Sequence, residues 1–337
     1  MKVLLTGAGG FLGSRVASAL LEQGVTDLRL QYRQNVPARL HSELCLRFPA
    51  ARIECVAANL LSRPSCAAIV DGVDLILHAA AGMRGAAADI FLNTVVASRN
   101  LLDAAAGAGV RRLTLVSSFS VYKTDGLRRD TVMDESTPLE TVGDEKGAYG
   151  YAKSRQEALF REYRKIHGNE LVILRPGVIY GPGGGEFSSR VGIAAMGLFF
   201  NLGGPAMLPL SYVDNCADAI VTAALMSPDG GIYNVVDDGL PTCSQYLRQF
   251  QREVRKLRVL RVPYWLFMLG SRWLQSYNRK SLGQLPAVFS PYVVRSMFRP
   301  LRYSNAALTR IGWQQRVTTP DGLARNFRNL AHGAHKS

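Results

Sequence analysis

Gly7, Gly10 and Gly13 stand three apart, directly behind the apolar run Val3-Leu4-Leu5 and at the head of a helical pattern over residues 12–23 that Gly24 stops. Few folds call for that arrangement. The first glycine permits a tight turn, the second lets backbone approach a bound group, and the third lets helix and strand pack closely. Phe11 and Leu12 then fall in the first helical turn, where unpaired N–H groups and the positive dipole end favour an anion. The segment reads as the phosphate-binding turn of a dinucleotide site, in the strand–turn–helix setting that this fingerprint requires.

The rest of the first half continues the rhythm. Short apolar strands are expected at 2–5, 28–32, 52–56, 75–78, 113–117 and 171–174, separated by helical patterns such as 90–106 and 151–166. Strands alternating with helices make βαβ units and a parallel sheet covered on both faces. The expected class is α/β, a Rossmann-type doubly wound parallel sheet with a smaller, mainly helical C-terminal substrate lobe. Residues 1–180, with returning segments about 212–240, form the dinucleotide-binding part; 181–211 and 241–330 form the lobe. Residues 181–211 look irregular, a helix is expected at 216–226 and a strand at 231–236. From 244 onward the pattern is mostly helical, with prolines at 263, 286, 291, 300 and 320 as breaks.

Composition closes off other classes. With 47% hydrophobic and 20% charged residues, 337 residues bury a sizeable core and are not disordered. No fixed repeat points to a solenoid. The five cysteines (45, 55, 66, 216 and 243) are odd in number and lack a Cys-x-x-Cys pair, so neither a disulfide framework nor a metal site is expected. The chain enters a strand at once, without a signal-peptide pattern, which makes the cytoplasm the default compartment. The longest apolar stretch, 191–210, is broken by Asn201, Pro205 and Pro209, and spanning a bilayer takes roughly 20 apolar residues. Charge is uneven. Residues 1–239 hold 23 Lys+Arg against 24 Asp+Glu, whereas 240–337 hold 17 against only Glu253 and Asp321. Pro263 to Leu269 with Trp273 is aromatic and apolar, and Arg258, Arg261, Arg272, Arg279 and Lys280 flank it. Such a segment suits either the core of the lobe or a peripheral contact with a membrane interface. No nucleic-acid motif accompanies the charge, so no nucleic-acid partner is expected.

Three positions speak to chemistry. At the end of the second strand an acidic residue would hold the ribose of NAD, but Gln31-Tyr32-Arg33 offers none. Arg33 presents a planar donor fork suited to a 2′-phosphate, which favours NADP(H) and leaves NAD(H) as the alternative. Tyr149 and Lys153 are four apart at the start of a helix and share a face. A free phenol is a poor acid–base catalyst near neutrality, and an adjacent ammonium favours its phenolate form. Ser117 and Ser118 close the fifth strand at the carboxyl edge, where a hydroxyl is placed to hold a carbonyl oxygen.

Taken together these motifs resemble an extended short-chain dehydrogenase/reductase, of the NAD(P)-dependent epimerase/dehydratase family. The resemblance runs from residue 1 to about 240, and more loosely to the end. Val73 to Ala81, Asn93, Asn100-Leu101-Leu102, Val116 to Tyr122, Leu174 to Pro182, Tyr212 to Ala219 and Tyr233-Asn234-Val235 carry the rest of it. It implies that Ser118, Tyr149 and Lys153 are catalytic. It further implies that Asn59, Leu60, Ala79, Ala80, Ala81, Ser117, Pro176 and Val178 line the cofactor with the glycine turn, Tyr149 and Lys153. A homodimer built on helices beside the tyrosine also belongs to that expectation.

Departures narrow it. Asn59-Leu60 stands where Asp-Leu is usual, and Val121-Tyr122-Lys123 where Val-Tyr-Gly is usual. No cation precedes Tyr212-Val213-Asp214-Asn215, where nucleotide-sugar members often carry an arginine, although Arg295 is a candidate substitute. The apolar stretch 206–210 resembles members acting on sterol-like or other hydrophobic carbonyls and alcohols. Hydride transfer to or from such a small molecule is the leading expectation. A redox-neutral nucleotide-sugar epimerase or dehydratase, for which Phe119-Ser120 supplies no nearby carboxylate, and a non-enzymatic NADP-sensing protein are the alternatives.

Overall fold

The structure, a computed structural model, describes residues 1–36, 38–141, 147–280 and 290–334. Chain order begins β1 (Lys2–Thr6), α1 (Phe11–Glu22), β2 (Asp27–Tyr32), α2 (Ala38–Arg47), β3 (Arg52–Ala57), α3 (Arg63–Val70) and β4 (Leu75–His78). Then come α4 (Ala87–Phe91), α5 (Ala97–Gly107), β5 (Arg112–Val116), β6 (Val132–Met133), α6 (Gly147–His167) and β7 (Glu170–Pro176). Seven strands form one sheet in the order β12-β7-β5-β4-β1-β2-β3, where β12 is Ile232–Val235. Every pairing in it is parallel.

Both faces of this sheet are apolar because both are covered. Val3 and Leu5 of β1 point into one core with α1, while Leu4, between them, points into the opposite core with α3, α5 and α6. The strand order reverses direction of growth at β1 and β4. A crevice therefore opens beyond their carboxyl ends, the position at which doubly wound sheets bind ligands.

The segment after β7 is less irregular than its glycines and prolines suggest. β8 (Val178–Tyr180) pairs with β11 (Leu210–Tyr212), while β9 (Gly192–Ala195) and β10 (Leu198–Asn201) form a hairpin. Met196 and Gly197 close that hairpin, both with positive φ, 51° and 72°, as a two-residue primed turn demands. α7 (Val213–Met226) returns to pack on α1. The remainder is α8 (Cys243–Glu253), β13 (Val259–Arg261), α9 (Tyr264–Lys280), α10 (Pro291–Phe298), β14 (Arg302–Tyr303), α11 (Ala306–Arg310) and α12 (Thr319–Ala334). β13 joins the hairpin in a three-stranded sheet, so the expected helical tail also contributes a strand. Pro286 lies outside the described residues, as do the side chains of Arg279 and Lys280.

A buried knot ties the tail to the main sheet. Asn215 donates to the Val317 carbonyl at 2.8 Å, accepts the Val317 N–H at 3.0 Å, and donates to Asp237 at 3.0 Å. Burial pushes the Asp237 carboxyl up to about 6, against the bonds it accepts. All five cysteines are free, and no His/Cys/Asp/Glu cluster able to hold a metal occurs among the described residues.

Candidate active site

The glycine turn lies in the crevice beyond β1. Gly7 has φ 73°, and a Cβ there would press to 3.0 Å on the Ala80 backbone at the end of β4. A Cβ on Gly13 would come within 2.1 Å of the Gly7 carbonyl oxygen. Both positions thus exclude any side chain, and the reason is backbone against backbone. Gly10 caps α1 without a side-chain acceptor, so the N–H groups of Phe11 and Leu12 meet no protein partner among the described residues. A free helix N-terminus beside a glycine cradle fits a pyrophosphate. Phe11 also supports the loop above, since Gly184 comes close to its ring.

Gln31 has a role that its sequence position did not reveal. It accepts the Gly7 N–H at 2.9 Å and donates to the Ala58 carbonyl at 2.6 Å, which clamps the turn to the end of β3. Arg33 is exposed just past β2. Asn59 accepts the Leu61 N–H at 3.0 Å, Leu60 is buried, and Asn100 donates to the Leu60 carbonyl at 3.1 Å. Ala79, Ala80 and Ala81 follow β4 and are half-buried, Pro176 ends β7, and Val178 begins β8.

Ser118, Tyr149 and Lys153 come together where β5 meets α6. The Ser118 hydroxyl oxygen accepts the Ser120 N–H at 3.2 Å, and the hydroxyl lies within reach of the Tyr149 phenol. Burial raises the phenol's pKa, and the Ser118 bond draws it part of the way down. Lys153 is buried and bonds the Val116 carbonyl and the Gln156 side-chain oxygen, each at 2.8 Å. Its third N–H has no acceptor among the described residues. Burial pulls its pKa down to about 7, opposed by Glu157. The lysine is thus held by groups beneath it, and it is Ser118, not Lys153, that lowers the Tyr149 pKa here.

Behind the lysine runs a hydrogen-bonded chain that sequence reading missed. Gln156 donates to Ser98 at 2.8 Å, and Ser98 donates to the Thr94 carbonyl at 2.5 Å. With its proton so placed, Ser98 accepts from His78 Nε2 at 2.9 Å, leaving His78 Nδ1 to accept from Thr6 at 2.7 Å. His78 is therefore the neutral Nε2–H tautomer, and burial lowers its pKa to about 3. The chain links the lysine to the glycine turn.

Ser117 is anchored by its side chain. Its hydroxyl donates at 2.7 Å to Glu157, away from the crevice. Glu157 also binds Arg175 through two contacts, 2.5 and 3.2 Å, and Arg161 at 2.9 Å. Burial pushes the Glu157 carboxyl up, but the Arg175, Ser117 and Arg161 bonds bring its pKa below the usual value. Arg175 stacks over Tyr122 at 4.6 Å, and Tyr122 donates to Asn234 at 2.6 Å.

Two expectations about substrate are revised. Ala206, Leu208 and Leu210 are 3%, 1% and 1% exposed, so these side chains pack into the core, while Met207 between them is half-buried. Arg295 is engaged with Asp125 at 2.8 Å, which neutralises the charge a pyrophosphate clamp would need. Asp125 is correspondingly held below the usual carboxylate range by that arginine.

The parallel seven-stranded sheet carries a glycine turn at its switch point and brings Ser118, Tyr149 and Lys153 to the same edge. The sequence model of the NAD dependent epimerase/dehydratase family matches residues 3–236, and the chain belongs to that family. It is 30% identical over 183 residues to cinnamoyl-CoA reductase 2 of Arabidopsis thaliana, 53% of this chain and 55% of that protein. The chain spans about half the length of that relative and of several further cinnamoyl-CoA reductases. An uncharacterized protein, YbjS of Escherichia coli (strain K12), is 24% identical over 338 residues, 96% of each chain. The same fold occurs in a dTDP-glucose 4,6-dehydratase of Streptomyces venezuelae solved with NAD and DAU bound, at TM-score 0.75 and 20% identity, covering 100% of this chain and 98% of that one.

Proposed function

We propose that the chain transfers hydride between NADP(H) and a carbonyl or secondary alcohol of a hydrophobic small molecule. The convergence of Ser118 and Tyr149 beside the buried Lys153 carries this reading. The turn of Gly7, Gly10 and Gly13 holds the pyrophosphate on the N–H groups of Phe11 and Leu12, and Arg33 meets the 2′-phosphate. Ala79 to Ala81, Asn59, Leu60, Pro176 and Val178 close around the dinucleotide. The bound nicotinamide supplies the hydride for reduction. Ser118 donates to the substrate oxygen and fixes it against Tyr149. Tyr149 gives its phenolic proton to that oxygen as the carbonyl carbon is reduced, and reclaims it in the reverse direction. Lys153, with one N–H still unused, bonds the ribose and offers positive charge to the developing phenolate. Gln156 positions the lysine from behind.

The reductases among the relatives support hydride transfer to an external substrate, and the dehydratase and epimerase neighbours keep the redox-neutral reading as the runner-up. The engagement of Arg295 with Asp125 disfavours that runner-up. The test is NADPH oxidation with a panel of hydrophobic aldehydes, ketones and acyl thioesters. Tyr149→Phe is expected to lose turnover by a factor of about 100 or more while its affinity for NADPH is unchanged. Full turnover in that variant would remove Tyr149 from the chemistry.

A further inference from the structure

The exposed large apolar side chains of this molecule gather in one region. Of the 17 such side chains among the described residues, ten fall on the β9–β10–β13 sheet and α9. In register, Ile193 pairs with Phe200 and Phe200 with Leu260, so the three share one sheet face. Ile193 and Leu260 are open to solvent, while Phe200, like Phe267 and Met268 of α9, packs against the buried cluster of Leu202, Val294 and Phe298. Through that shared cluster α9 and the sheet belong to one region of the molecule. Met196 caps the hairpin at 92% exposure, in a left-handed conformation that favours glycine or asparagine.

α9 itself has two apolar sides. Phe267, Met268 and the buried Ser271 face the body of the protein. Trp265, Leu269, Trp273 and Tyr277, four apart in succession, form a stripe on the other side, with both tryptophans 68% exposed. Arg272 lies on α9 beside the stripe, Arg258 and Arg261 lie at β13, and all three are exposed and have no carboxylate partner among the described residues. The last 98 residues hold 17 Lys+Arg against two acids. No helix among the described residues is long and apolar enough to cross a membrane.

We propose that this face docks on an anionic lipid surface, with α9 lying in the interface plane. Indole and phenol rings settle where hydrocarbon meets headgroups. The arginines answer anionic headgroups electrostatically, which selects a lipid surface over an uncharged apolar partner. Neither the tryptophans nor the arginines belong to the candidate active site.

The full chain is sedimented with vesicles of phosphatidylcholine alone and of phosphatidylcholine with phosphatidylserine. It is expected to bind the anionic vesicles and to release as salt is raised. Trp265→Ser/Trp273→Ser and Arg258→Ser/Arg261→Ser/Arg272→Ser should each partition about tenfold more weakly, with unchanged circular dichroism. Tryptophan emission should shift to the blue on binding, from Trp265 and Trp273 alone, because Trp313 is already 2% exposed. Failure to bind anionic vesicles at low salt would overturn the proposal. A dimer in light scattering that becomes a monomer on Trp273→Ser would also overturn it, by showing that a second copy covers the face.

Discussion

Lys153 carries its charge at only 3% exposure, and the neighbours that hold it decide when that charge is lost. Its folded pKa, about 7, lies below the ordinary 10.5, so the ammonium is present below about pH 7 and disappears as pH rises through that value. Gln156 offers an oxygen to the charged form. Gln156→Leu removes an acceptor and should move the alkaline limb of kcat/KM to lower pH, whereas Gln156→Glu should move it to higher pH. A residue that merely fills space would leave the limb in place, and a pH profile of the two variants separates these outcomes. The residues that were legible in the sequence are those whose meaning is local: the glycine spacing and the four-residue step from Tyr149 to Lys153. Gln156, Ser98, His78 and Gln31 were not legible. Their partners lie far along the chain, as with Thr6 and His78, 72 residues apart, so no spacing rule displays them.

At the level of elements, the strand–turn–helix at the start of the chain forms as its pattern implied, and its tolerance is narrow. A Cβ on Gly13 would overlap backbone, which cannot swing aside as a flexible side chain can. Gly13→Ala is expected to cost about 1–3 kcal/mol of stability and to abolish the thermal shift with dinucleotide, measured by calorimetry with and without ligand. An unchanged shift would show that the turn does not form the pyrophosphate cradle. The pattern over 90–106 was read as one helix, but the structure breaks it with a π turn at Leu92–Val96 between α4 and α5. An extra residue in a turn leaves the apolar periodicity nearly intact, so hydrophobic spacing conceals it. The same blindness applies to β9 and β10, where Gly192, Gly197 and Gly203 masked a hairpin whose strands are only four residues each.

Across the whole molecule, the charge division was visible in the sequence but its consequence was not. The basic C-terminal region is threaded back to the sheet by Asn215 and Val317, and it exposes its aromatic helix instead of burying it. The segment Tyr212-Val213-Asp214-Asn215 thereby earns its place as a structural bolt between distant parts of the chain. The cofactor claim unites the glycine turn, Arg33 and the Ser118–Tyr149–Lys153 group, and it is tested by identifying the nucleotide the protein carries and prefers. Purified protein is denatured, the supernatant is assayed for released dinucleotide, and intact protein is melted with NADP(H) or NAD(H). A ligand at 100 times its Kd stabilises by about 2.7 kcal/mol, an easily measured shift. The account predicts an empty protein stabilised mainly by NADP(H), with the preference weakened in Arg33→Ala. Stoichiometric NAD retained through purification would contradict it and put redox-neutral chemistry in place of an exchanging reductase.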